Sequence, residues 1–177
     1  MRILLHACCA PCLIQCLESL GEADISADLL WYNPNIHPYT EYRSRRDNLY
    51  TFAEERELNL IKEDVYGLRQ FVKSCENGTE SNRCLFCYRL RLERTASLAR
   101  EQGYDAFSTT LLISPFQNHE LIMNTGYKLS ERYRVKFHYQ DFRPQFRKSL
   151  MQARSAGYYM QKYCGCIYSE EERYLGQ

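Results

Sequence analysis

Short apolar runs alternate along this chain with longer stretches in which apolar residues recur every three or four positions. The runs Arg2–Ala7, Ala27–Tyr32, Leu58–Lys62, Asp105–Thr109 and Val135–Tyr139 have strand length and predict buried strands. Between them, Pro11–Leu20, Tyr39–Glu57, Tyr66–Lys73, Arg83–Gln102 and Gln117–Arg132 carry the helical period, and after Asp141 the pattern stays helical to the end. Strand–helix alternation of this kind predicts an α/β fold: a largely parallel, doubly wound sheet of about five strands with helices on both faces and a helical C-terminal segment at about 142–177. Asn33-Pro34 and Ser114-Pro115 are sharp breaks, and polar Cys75–Asn82 reads as a loop. No linker-like stretch or internal repeat divides the chain, so residues 1–177 read as a single domain.

In an open α/β sheet, ligands bind outside the carboxyl ends of the strands. That edge collects Cys8, Cys9 and Cys12 after the first strand, Tyr32-Asn33-Pro34-Asn35 after the second, Ser108-Thr109-Thr110 at the end of the fourth, and Asp141 after the fifth. Composition then narrows the choice. With 45% hydrophobic and 25% charged residues and a mean hydropathy of −0.54, the chain fits neither a disordered nor a membrane protein. Twenty-three basic residues against 22 acidic ones give a net charge of +1, so contact with phosphate must use local patches. No glycine-rich nucleotide-binding fingerprint is present.

Nine cysteines, an odd number, change the picture most. The opening MRILLHACCAPC lacks the roughly 7–15 apolar residues of a secretory signal, which predicts a cytoplasmic protein with no membrane partner. In a reducing compartment, clustered cysteines are more often metal ligands or redox catalysts than structural bridges. Cys8-Cys9-x-x-Cys12 falls at a strand-to-helix turn, where unpaired amides and the positive helix end favour thiolates. Adjacent cysteines point apart, which suits a polynuclear cluster or two neighbouring metals. Cys84-x-x-Cys87 opens a predicted helix and supplies two more ligands, and with Cys8 and Cys9 it makes a four-thiolate set for iron–sulfur or zinc. Cys164-Gly165-Cys166 closes a tight loop; a strained, reducible disulfide, a metal chelate and plain packing are all compatible with it. Cys16 reads as core, Cys75 as a semi-exposed thiol and His6 as a packed residue, while His37, His119 and His138 lack a partner at metal-ligand spacing.

The segments LLHACCAPC, YNPNIHPYTEYRSR, NRCLFCYRLRLERTA, FSTTLLISPFQN, DFRPQFRKSL and YMQKYCGCIYS resemble the cobalamin-independent epoxyqueuosine reductase family, QueH, over nearly the whole chain. The resemblance implies reduction of the epoxide of epoxyqueuosine, at the wobble position of a tRNA anticodon, to the alkene of queuosine. It implies a [4Fe–4S] cluster held by Cys8, Cys9, Cys84 and Cys87, an adjacent mononuclear iron near Cys12, and Cys164 with Cys166 as a redox-active pair. Asp141 is a further oxygen ligand or acid, or else it caps the following helix or pairs with Arg143.

The partner implied is tRNA carrying epoxyqueuosine, together with an electron donor that the residues do not identify. Arg43, Arg45, Arg46, Arg143, Arg147 and Lys148 are the expected RNA contacts, with Arg89 and Arg91 in a further basic run and Tyr39, Tyr42, Tyr158, Tyr159 and Tyr163 for base stacking. The basic, tyrosine-rich stretch Arg143–Tyr163 is expected to be helical and to fold over the site. From the residues alone, a zinc-stabilised RNA-binding module and a metal-free thiol–disulfide oxidoreductase stay open beside the reductase.

Overall fold

A computed structural model describes residues 1–76 and 80–176. Five parallel strands form its sheet: β1 (Arg2–His6), β2 (Ser26–Trp31), β3 (Leu60–Lys62), β4 (Ala106–Thr109) and β5 (Lys136–Phe137), in the spatial order β3-β2-β1-β4-β5. Ile3, Leu4 and Leu5 of β1 pair with Ala27, Asp28 and Leu29 on one side and with Ala106, Phe107 and Ser108 on the other. Because β1 is flanked on both sides and covered on both faces, its side chains from Ile3 onward are all buried, which is why it reads as an unbroken apolar run. The chain builds one half of the sheet outward from β1, then crosses back to start β4 on its other side. The carboxyl ends of β1 and β4 therefore form the topological switch point, where open α/β sheets have their crevice.

The helices are α1 (Ala10–Glu22), α2 (Tyr39–Glu55), α3 (Leu68–Glu76), α4 (Glu80–Glu101), α5 (His119–Tyr133), α6 (Phe146–Ser155) and α7 (Ile167–Leu175). Pro11 stands in the first turn of α1, where its missing N–H costs nothing. Asn118 caps α5 by accepting a hydrogen bond from the Leu121 amide, and Gly126 gives that helix its close approach to β5, since a Cβ there would lie 2.6 Å from Phe137 Cζ.

Two expectations need correcting. Cys75 lies within α3, and α4 starts at Glu80, so Cys84 sits inside that helix rather than opening it; residues 77–79 of the expected loop lie outside the described residues. The C-terminal segment is not continuously helical. Its first helix stops at Ser155, Gly157 turns the chain with φ 75°, and residues 158–166 run as a non-helical strap before α7. The hydroxyl of Ser149 on α6 donates to Pro11 O at 2.6 Å, which holds this segment against the start of α1.

Candidate metal centre

At the end of β1, the fully buried His6 ring is tied on both sides. Its Nδ1 lies 3.0 Å from Thr109 Oγ1 on β4, and its Nε2 lies 3.1 Å from Asn33 Oδ1 and 3.2 Å from Tyr32 O beyond β2. Burial, reinforced by the charge of Arg91, lowers its pKa to about 4, so the ring is a neutral strut across the switch point. The Asn33 amide donates to Ala7 O at 2.9 Å. These bonds fix the turn from which the next two residues project.

Those residues are Cys8 and Cys9, with sulfurs 3.7 Å apart, and Cys12 follows one turn into α1. The three Sγ atoms lie within 4.8 Å of one another and all three residues are buried. Thr110, just after β4, accepts from the Cys8 amide at 3.1 Å and donates to Cys8 Sγ at 3.3 Å. Hydrogen bonds from Cys12, Cys9 and Thr110 hold the Cys8 thiol well below its usual pKa, while burial pushes Cys9 up and the neighbouring sulfurs, with burial, push Cys12 up. Above them Gln161 of the strap donates through Nε2 to Cys9 Sγ (3.1 Å) and Cys12 Sγ (3.5 Å), and its buried Oε1 has no partner among the described residues.

A second group of cysteines gathers beside α4. Cys87 and Cys166 pack with Phe71 in a small buried cluster against which Cys75 also lies, and Cys84 and Cys164 are exposed at its edge. Burial lifts the Cys87 thiol to about 11, against the pull of Arg91. The hydrogen bond from Cys166 lowers Cys164 to about 5 and correspondingly raises Cys166. Both thiols of this pair are free. Their loop is clamped by residues after β2: the His37 amide donates to Gly165 O (2.7 Å), the Ile167 amide donates to His37 Nδ1 (3.3 Å), and Tyr163 Oη donates to His37 O (2.7 Å). Gly165 sits at φ +131°, where a Cβ would lie 3.1 Å from Arg45 Nη1, so this position needs glycine on both counts.

The chain matches the family model described as epoxyqueuosine reductase QueH over residues 3–172. It belongs to the QueH family. Similar curated relatives carry the same description: one from Dehalococcoides mccartyi, 35% identical with 98% of this chain and 94% of the relative covered; one from Thermotoga maritima, 37% identical with 97% and 91% covered; and one from Acinetobacter baylyi, 37% identical with 95% and 80% covered. All three buried thiols of the candidate metal site lie inside the part that matches the QueH model.

Several residues expected at the RNA surface of this QueH chain are elsewhere. Arg45 is only 2% exposed: its Nε bonds Glu41 at 2.7 Å, and Nη1 and Nη2 donate to Cys164 O and Tyr163 O at 3.0 and 2.9 Å. Arg91 is buried against Cys87, and Tyr42 is buried against Trp31. Tyr158 and Tyr159 spend their hydroxyls on Glu55 and Glu41. Asp141 pairs with Arg143, accepting from its amide at 3.0 Å and from its guanidinium at 2.8 and 2.6 Å, while the following short helix has Phe142 as its N-cap. Lys148 pairs with Glu18 at 3.0 Å and Arg46 with Asp47 and Asp64 at 2.8 Å each. Arg43 and Arg147 are exposed. The sequence reading placed Thr110 on this edge without its bonds to Cys8, and it missed Gln161 and the clamping role of His37, because each acts through contacts between distant segments. No helix among the described residues is long and apolar enough to cross a membrane.

Proposed function

We propose that this chain reduces the epoxide of epoxyqueuosine in a tRNA anticodon to the alkene of queuosine, with an iron–sulfur centre at the switch point and Cys164/Cys166 as its dithiol. The observation that carries the reading is the convergence of three buried thiols at the carboxyl end of β1 in a chain matching the reductase family along nearly its whole length. The donor set fits such a group. Soft thiolates suit iron and sulfide, and the unpartnered Gln161 Oε1 beside the triad is a buried polar atom awaiting a partner. In this reading Cys8, Cys9, Cys84 and Cys87 hold a [4Fe–4S] cluster and Cys12 faces an adjacent mononuclear iron. When bound, these groups supply one-electron transfer and a Lewis acid for the epoxide oxygen.

The remaining work falls to side chains. Converting an epoxide to an alkene consumes two electrons and two protons and releases the oxygen as water. Closing Cys164 as thiolate and Cys166 as thiol into a disulfide releases two electrons and one proton, and the second proton of the turnover comes from solvent. Cys164, held low by its bond from Cys166, is the thiolate that starts this oxidation. An external reductant then reopens the disulfide, and the reducing cytoplasm is the compartment that keeps such a site working. Arg43, Arg143, Arg147 and Lys148 supply charge for the anticodon arm. Near them Phe116, 84% exposed, meets Phe146 edge-on with ring centroids 5.9 Å apart and offers a face to an unpaired base. Residues 1–177 act here as one catalytic unit, the strap of 158–166 closing over the thiols.

The test is anaerobic purification with iron, sulfide and zinc analysis, followed by reduction of epoxyqueuosine-containing tRNA. Bound iron with inorganic sulfide, both lost in Cys84→Ser, is expected. Stoichiometric zinc without sulfide, or full activity in metal-free protein, would overturn the reading.

A further inference from the structure

Arg91 is 3% exposed and lies one helical turn after Cys87 on α4. Its Nη2 donates to Cys87 Sγ at 2.8 Å and its Nε to Cys87 O at 3.2 Å, and its guanidinium carbon lies 6.0 Å from the centre of the Tyr88 ring. Among the described residues no carboxylate lies within ion-pair distance of it. The other fully buried arginine shows the contrast: Arg45 pairs with Glu41 at 2.7 Å. A buried cation without a counter-charge is costly, and the group that its fork reaches is the Cys87 sulfur, which carries negative charge as a metal-bound thiolate. Its field acts on Cys87, Cys8 and Cys164, which belong to the three cysteine motifs of the chain.

We propose that Arg91 is a positioning residue for electron transfer, whose charge-assisted N–H···S bond to Cys87 and buried positive charge raise the reduction potential of the thiolate-held centre. The inference rests on the iron–sulfur reading above. Each electron entering the centre adds one negative charge, and a fixed guanidinium at hydrogen-bond distance from a ligand sulfur stabilises that added charge. Hydrogen bonds to sulfur and local charge are two of the levers by which proteins set such potentials. The electrons come from the Cys164/Cys166 dithiol as it closes to a disulfide, and the higher potential lets that weak reductant load the centre. Lysine keeps the charge but lacks the planar fork that reaches the sulfur and the carbonyl together, so it restores only part of the effect.

The experiment compares anaerobically reconstituted wild-type, Arg91→Lys and Arg91→Gln proteins by iron and sulfide content, thermal melt and mediated redox titration of the cluster followed by electron paramagnetic resonance. Full cluster content is expected in all three, with a midpoint potential that moves negative in Arg91→Lys and further negative in Arg91→Gln. An unshifted potential in a fully loaded Arg91→Gln protein overturns the inference. If Arg91→Gln fails to fold or to load, Arg91→Lys decides: a negative shift supports the inference, and an unshifted potential overturns it by leaving Arg91 a purely structural role. Absence of iron and sulfide in the wild-type protein is a different result, since it removes the iron–sulfur reading itself before any variant is compared.

Discussion

Replacing Arg45 with methionine tests whether one ion pair holds the dithiol loop in place. Methionine keeps most of the packed stem and removes only the charged fork, so the loss is electrostatic. Glu41, its side chain 8% exposed, would then be a buried carboxylate with only Tyr159 left to donate to it. Breaking a buried pair from one side costs about 3–5 kcal/mol. The carbonyls of Tyr163 and Cys164 also lose their donors, which keeps the expected cost toward the upper end of that range. For a chain of this length that corresponds to a fall in melting temperature of roughly 6–20 °C. Adding Glu41→Gln removes the stranded charge, so the double variant should recover about 2 kcal/mol relative to the single arginine variant. The assay is urea unfolding of wild type, both single variants and the double variant in one loading state. If the two single costs add to within about 0.5 kcal/mol, Arg45 and Glu41 are not coupled and the clamp argument fails.

Three further outcomes are expected. Cys164→Ser should keep wild-type iron and sulfide and lose multiple turnover of epoxyqueuosine tRNA; loss of the cluster in that variant would make Cys164 a ligand instead. Gly126→Ala should destabilise the fold by about 1–3 kcal/mol, read from the denaturant midpoint, because the added methyl group must displace the Phe137 ring, and a neutral result would show that ring to be freely movable. His37, which burial holds near pKa 4 against an ordinary value of 6.5, binds its proton more readily unfolded than folded. Its contribution is therefore complete above about pH 6.5 and is lost as pH falls toward 4, with a slope approaching about 1.4 kcal/mol per pH unit. His37→Gln should flatten the stability profile over that window by about one proton, and an unchanged slope would place the titration elsewhere.

The sheet was legible because buried parallel strands are written as apolar runs. β1 and β4 could be located to within a residue or two, and with them the edge that carries Cys8, Cys9 and Cys12. The limits of α4 and the strap were not legible. Glu80-Ser-Asn reads as a loop because polar residues in a first helical turn look the same as polar residues in a turn. Tyr158–Tyr163 keeps aromatic spacing compatible with a helix, yet those rings and hydroxyls are used one by one against Glu55, Glu41 and His37. Arg45 and Arg91 were misplaced for a common reason. A charged side chain reads as surface unless its buried partner is visible, and here the partners are a glutamate one turn from Arg45 and a cysteine sulfur one turn from Arg91. Asp141 stood between two readings that only the position of Arg143 separates.

Gln161 bears on biogenesis. It rests on Cys9 and Cys12 from a strap that the ribosome makes more than 140 residues after them, and the clamp on Gly165 joins the same late segment to His37. During synthesis, β1, β2 and β4 can pair and the triad can form while its cover does not yet exist. An open interval therefore precedes closure, in which the sulfurs are accessible from outside. If the centre proposed above is loaded after closure, the Gln161 contacts to Cys9 and Cys12 have to break first, so loading that keeps pace with translation has the shorter route.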